Sequence, residues 1–184
     1  MEDIDWGVSM LDRIKKQRKL KIYLDTSVIS YLDQDNHPEK KKDTQLLWDL
    51  LRNDVYDVYI SDIVVREIGQ CEEKKRHVLF DYLKQINFTL VQTNNDTIQL
   101  AEKIIDFGVL KEKSYDDCQH IATAILANCD IITSWNFKHI VNVKTIQGVK
   151  IITTLEHYKD LLILSPSVLL QEEEENENET TDNQ

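Results

Sequence analysis

The side chains of this 184-residue chain best suited to chemistry are acids. Asp25 follows the apolar run Lys21-Ile-Tyr-Leu24. Glu67 comes about one and a half helical turns after Ser61. Asp116 and Asp117 stand just beyond Ser114. Asp130 leads into Ile131-Ile-Thr133, and Ser134, Trp135 and Asn136 lead out of it. Carboxylates brought together repel and raise one another's pKa values. A hard divalent cation, Mg²⁺ or Mn²⁺, relieves that conflict because it prefers oxygen ligands. Such a cation can activate water and stabilise charge on a phosphoryl oxygen, which is the chemistry of phosphodiester hydrolysis.

Each acid also has a purely structural reading. Asp25 can be a turn residue. Glu67, beside Arg66, can be a solvated helix charge. Asp117, three residues after Ser114, fits a capping box, and Asp116 would favour the same helix N-terminus. Asp130 can simply end the preceding helix. His120 falls on an apolar helix face with Ile121 and Ala124, where a satisfied core histidine is expected rather than a ligand. It has no metal-spaced His or Cys partner.

Positioning these groups is the task of an alternating pattern. Strands are expected at Lys21–Leu24, Val58–Ile60, Phe88–Val91, Ile131–Thr133 and Leu161–Leu164, the last stopped before Pro166. Helices are expected over Thr44–Leu51, from Ser61 through Cys71 and on from Glu72 to Ile86, over Asp96–Phe107 before Gly108, and over Ser114–Asn128. In the first of these helices Leu46, Leu47, Leu50 and Leu51 should share a face. Strand–helix alternation argues for an α/β fold with a parallel sheet covered on both faces. Ligands in such folds bind at the carboxyl edge of the strands, where strand order reverses. Asp25, Ser61 with Glu67, the pair Asp116 and Asp117, and the residues that bound the fourth strand, Asp130 and Ser134 to Asn136, are expected at that edge, where at least three carboxylates should converge.

Composition sets the boundaries. Residues 1–20 form a charged N-terminal extension, readable as an amphipathic helix through Trp6, Met10 and Ile14 or as a solvated leader. Residues 21–170 form the domain. Residues 171–184 carry seven acids and no base and are expected to be a disordered acidic tail. That tail holds most of the net charge of −11, so the domain is only mildly acidic and a nucleic-acid substrate is not excluded. No apolar run approaches the ~20 residues of a membrane-spanning helix, so no membrane partner is expected. Three scattered cysteines without a CxxC pair, and no export signal, point to a reducing, cytoplasmic setting. Gly-rich phosphate loops, G-x-S-x-G and H-E-x-x-H are absent from the sequence.

Four segments, in order, resemble the PIN domain family, and most closely the VapC-type toxins of toxin–antitoxin modules. They are Ile22-Tyr-Leu-Asp25-Thr-Ser-Val-Ile29, Ser61-Asp-Ile-Val-Val-Arg-Glu67-Ile, Asp117-Cys-Gln-His120-Ile-Ala-Thr-Ala124 and Asp130-Ile-Ile-Thr-Ser-Trp-Asn136-Phe-Lys-His139-Ile. The resemblance implies a three-layer α/β/α sandwich, PIN-like, with a central parallel sheet of about five strands. It implies a Mg²⁺- or Mn²⁺-dependent ribonuclease with Asp25, Glu67 and Asp117 as catalytic metal ligands. Thr26 and Ser27 match hydroxyl residues that support the first acid. Asp116, Asp130 and Lys138 are secondary candidates, with Lys138 and His139 placed to meet RNA phosphates. Asn136 stands where many members have Asp; an amide can orient water or phosphate but brings no charge. The resemblance further implies an RNA substrate, a cognate antitoxin and a homodimer. A solitary RNA-processing PIN nuclease and a catalytically silent partner-binding PIN-like module are the alternatives.

Overall fold

The computed structural model describes residues 18–171. The expectations for the leader before residue 18 and for the tail after residue 171 lie outside the described residues. Five strands form one parallel sheet: β1 (Lys21–Leu24), β2 (Asp57–Ser61), β3 (Phe88–Val91), β4 (Ile131–Thr133) and β5 (Leu162–Leu164), in the order β3-β2-β1-β4-β5. Strand order reverses at β1, which pairs with β2 on one side and β4 on the other. Ile22 lies opposite both Val58 and Ile131.

Alternate residues of each strand face opposite layers, as the period of two requires. Ile22, Leu24 and Ile131 join a cluster with α1 (Thr26–Tyr31), α2 (Pro38–Arg52), α3 (Asp62–Gly69) and α4 (Glu73–Leu83). Tyr23 and Ile132 join a second cluster with α5 (Asn95–Asp106), α6 (Tyr115–Leu126) and α7 (Val143–Leu155). Two cores on the two faces of one sheet make the three-layer α/β/α sandwich. Leu20 is already in the first core, 2% exposed.

Three local departures from the sequence reading have physical causes. Helix α2 begins at Pro38, whose missing N–H costs nothing at a helix start. Its buried face is Thr44, Leu47, Trp48 and Leu51, and Leu46 faces solvent. The long helix expected from Ser61 to Ile86 is broken after Gly69. The Gln70 amide closes α3 on the Arg66 and Glu67 carbonyls, and the chain turns so that Leu79 and Leu83 of α4 return to the core. Helices α1 and α7 have no counterpart in the sequence reading; α7 buries only Thr145, Val149, Ile152 and Thr153 and exposes Val143, Ile151 and Leu155, which blurs its periodicity.

Candidate active site

The site lies where β1 and β4 end, at the point of strand-order reversal. Asp25 is the first residue past β1 and the N-cap of α1. Its side chain does not cap the helix. It is 6% exposed, and its Oδ2 accepts hydrogen bonds from the hydroxyls of Ser27 and Ser134, the latter at 2.6 Å. The Trp135 amide donates to Ser27 Oγ at 2.9 Å, and the Asn136 amide donates to Ser134 Oγ at 2.9 Å. A chain of hydroxyls thus locks the ends of β1 and β4 together and leaves Asp25 Oδ1 turned toward the pocket.

Glu67 enters from α3, and the Thr26 hydroxyl donates to its Oε2. His120 enters from α6, 1% exposed, with Nε2 3.2 Å from Glu67 Oε2 and 3.6 Å from Asp25 Oδ1. Its Nδ1 meets the Tyr23 hydroxyl at 2.8 Å, and that hydroxyl lies 2.6 Å from Ser61 Oγ. The expectation that His120 is a satisfied core residue is therefore met on one ring nitrogen only. The other nitrogen belongs to the site. Asp25, Glu67 and His120 each offer a ligand atom within 4.8 Å of the other two.

Asp117 belongs to the same field but not to that tight set. Asn136 Nδ2 donates to its Oδ1 at 2.8 Å, while Asn136 Oδ1 accepts from the His139 amide at 3.0 Å. The capping box expected at Ser114 does not form. The Ser114 hydroxyl pairs instead with His139 Nδ1 at 3.3 Å, which leaves the Asp117 carboxylate to the pocket. The Ser61 hydroxyl is likewise turned away from its helix, toward Tyr23.

The electrostatics follow from this packing. Burial pushes the Asp117 carboxyl up, and the charges of Asp25 and Glu67 add to the rise against the opposing effect of the nearby histidines. Burial also opposes ionisation of Glu67, but the hydrogen bonds from His120 and Thr26, with Arg66 nearby, bring it below its ordinary value. Burial disfavours a charged His120 ring. The Glu67 hydrogen bond and the fields of Asp25, Glu67 and Asp117 outweigh that cost and raise its pKa. Burial holds the Tyr23 phenol far above its usual value, so it remains a neutral relay between Ser61 and His120. The Nε2 side of His120 thus faces both Glu67 and Asp25.

The remaining candidates fall outside the cluster. Asp116 sits on the exposed side of α6, 3.1 Å from Arg66. Asp130 is the clear correction. A residue that enters a parallel strand lies at the amino edge of the sheet, a strand length from the pocket. There it is held by Arg18 and Lys159 at 2.5 Å each and by the Lys21 amide at 2.8 Å. Its role is to clamp the start of β1 and the approach to β5. Lys138 lines a separate cleft beside the pocket. Cys118 and Cys129 are buried thiols pushed up to about 12 by burial, and so are inert. Sequence reasoning missed Ser134 as a support of Asp25 and the exposed face of His120. The spacing of Asp117 and His120, three apart on one helix, carries the signal for the second.

Two carboxylate oxygens and an imidazole nitrogen suit a divalent cation with mixed oxygen and nitrogen preference such as Mn²⁺, and the oxygens suit Mg²⁺. Fold and site together define a three-layer parallel-sheet protein with an acidic pocket at its topological switch point. The chain belongs to the PIN domain family, whose sequence pattern it matches over residues 22–136. No curated protein matches it. Among solved structures it is similar to a chain of VapBC2 from Rickettsia felis bound to a DNA fragment from their promoter, with 14% identity, TM-score 0.51, and 79% of this chain and 98% of that chain covered. It is also similar to a chain of VapBC-1 from nontypeable Haemophilus influenzae, with 18% identity, TM-score 0.51, and 80% and 99% covered. At these identities the likeness establishes the fold.

Proposed function

We propose that this protein is a divalent-cation-dependent endoribonuclease, the toxin of a VapBC-type toxin–antitoxin pair. The observation that carries the reading is the convergence of Asp25, Glu67 and His120 within 4.8 Å at the sheet's switch point, with Asp117 held beside them by Asn136. Asp25 and Glu67 would hold Mg²⁺ or Mn²⁺, with Asp117 completing the negative field. The bound cation supplies an activated water and neutralises charge on the scissile phosphate. Ser27 and Ser134 fix the Asp25 carboxylate so that one oxygen faces the pocket. His120, backed by Tyr23, keeps Glu67 ionised and in place. Asn136 orients Asp117 through one amide atom and is itself oriented by the His139 amide through the other.

The test is cleavage of a structured RNA in Mg²⁺ or Mn²⁺. Cleavage should cease in EDTA and in Asp25→Asn, and persistence under both would overturn the proposal. The antitoxin partner and the homodimer belong to this reading, supported by the likeness to chains of VapBC assemblies. A small DNA-binding protein encoded next to this gene, which relieves growth arrest on co-expression, is the expected result. Expression without growth arrest would favour the solitary RNA-processing nuclease. The amide at position 136 favours one further reading, a silent partner-binding module; failure to bind Mn²⁺ by calorimetry with the fold intact would select it.

A further inference from the structure

Beside the carboxylate pocket lies a cleft of about 240 Å³ whose lining includes Lys111, Lys113, Lys138, Lys144, His139 and Asn142, and no carboxylate. The lysines come from three separate places: the segment before α6, the loop after β4 and the first turn of α7. The chain as a whole is acidic, so this clustering runs against its composition. Among the described residues, Lys19, Lys41, Lys84, Lys103, Lys150 and Lys159 pair with acids; the four cleft lysines, like Lys21, Lys40, Lys42, Lys74 and Lys75, do not, so the cleft is where lysines without an acid partner gather around one hollow. Glu112, between two of them in sequence, lines a different hollow with Glu102 and Asp106. The short 3₁₀ turn Glu112–Ser114 thus sorts its charges, basic to the cleft and acidic away from it.

The cleft is joined to the pocket through His139. Its ring reaches Ser114 at 3.3 Å and its amide holds Asn136, which holds Asp117. His139 and Ser114 line the cleft, and through Asn136 the same histidine is tied to Asp117 of the pocket, so the two hollows are neighbours. We propose that this cleft is a track for the sugar-phosphate backbone of single-stranded RNA flanking the bond to be cut. The choice of RNA rests on the nuclease reading above. Four separated ammonium groups suit several phosphates rather than one small anion. Lysines on flexible stems hold phosphate as point charges without reading bases, so the track contributes affinity and not sequence preference. It also places positive charge next to a pocket of carboxylates that would by itself repel a phosphate.

The experiment uses the full chain in EDTA, so that nothing is cleaved, and a fluorescein-labelled 12-nucleotide oligouridylate followed by anisotropy from 50 to 200 mM KCl. Each phosphate contact adds about 0.7 to the slope of log K against log salt for a single strand, so four contacts account for a loss of about 50-fold across that range. Lys111→Gln and Lys144→Gln should each lower the slope by about 0.7, and their combination with Lys113→Gln and Lys138→Gln by about 2.8. Lys74→Gln with Lys75→Gln, outside the cleft, should leave it unchanged, and Mn²⁺ titration by calorimetry should be the same in all variants. The single variants keep the test open should the fourfold variant unfold. An unchanged slope in the single variants would overturn the track even in an active nuclease. Equal competition by a 12-residue polyglutamate would overturn it too, in favour of an acidic protein segment. Loss of Mn²⁺-dependent cleavage in the unaltered protein, with the slopes as expected, would instead defeat the nuclease reading and leave a nucleic-acid-binding cleft.

Discussion

Replacing Asp25 with Asn separates what the pocket does for the fold from what it does for a cation. The amide oxygen can take the place of Oδ2 and keep the hydrogen bonds from Ser27 and Ser134. The amide nitrogen then occupies the Oδ1 position, 3.6 Å from His120 Nε2 and within 4.8 Å of the Glu67 ligand oxygen. At an effective dielectric near 20, the lost repulsion from Glu67 and, while the His120 ring carries its second proton, the lost attraction to it are each ~3–5 kcal/mol and opposite in sign. They nearly cancel, so stability without metal should change by no more than ~1 kcal/mol, or about 2–4 °C in melting temperature for a chain of this size. Cation binding has no such compensation. Mn²⁺ at 100 times its Kd stabilises the unaltered protein by about 2.7 kcal/mol, a rise of roughly 5–10 °C. Loss of one anionic ligand should weaken binding at least about 100-fold, which reduces that gain to about 0.4 kcal/mol at the same Mn²⁺ concentration. Thermal unfolding with and without Mn²⁺ reads both quantities. A variant that keeps the full Mn²⁺ shift would show that Asp25 holds no cation, and one that is several kcal/mol less stable without metal would show that the balance of charges is misjudged.

Other expectations follow from single contacts. Asp130 is held near a pKa of about 2; burial opposes its charge, but Arg18, Lys159 and the Lys21 amide prevail. Because the folded value lies below the unfolded one, its stabilisation is full above about pH 4 and is lost as pH falls through about 2. Asp130→Asn should therefore cost ~1–2 kcal/mol at neutral pH, discounted because Arg18 and Lys159 are partly exposed, and should flatten acid unfolding between pH 4 and 2 followed by circular dichroism. A Cβ at Gly148 would stand 2.5 and 2.7 Å from the two Val109 methyl groups. Gly148→Ala should thus destabilise by ~1–3 kcal/mol despite a helix-propensity gain of about 1 kcal/mol, with Val109→Ala restoring stability in urea titrations. Asn136→Asp would put a second carboxylate against Asp117 in place of a donor 2.8 Å away. It should lower metal-free stability by ~1–3 kcal/mol and tighten Mn²⁺ binding, so a metal-free melting curve that does not move would refute the role given to that amide.

Much of this was legible in the residues. All five strands were, because apolar runs such as Ile22–Leu24 and Ile131–Thr133 are short, rich in branched side chains and bounded by polar residues. Their alternation with helices carried the parallel sheet, and the parallel sheet carried Asp25, Glu67 and the pair Asp116 and Asp117 to one edge, of which the resemblance selected Asp117. The resemblance added the PIN-like sandwich that the structure has. Less legible were helices with mixed faces, such as α7, where exposed Val143, Ile151 and Leu155 interrupt the pattern of burial.

Chain-local pattern determined which face each side chain presents and which strand end it follows, since both depend only on period and direction. It did not determine partners. Ser114 and Asp117 have capping-box spacing, yet His139 takes the serine hydroxyl and Asn136 takes the carboxylate. His120 lies on an apolar face and is buried as expected, yet its second nitrogen meets an acid 53 positions away. Asp130 sits among the residues of a matching segment and still belongs to Arg18, 112 positions away at the other edge. A polar group withdrawn from water must bond to whatever the packed layers bring beside it, and only the closed sheet with its helices in place decides what that is.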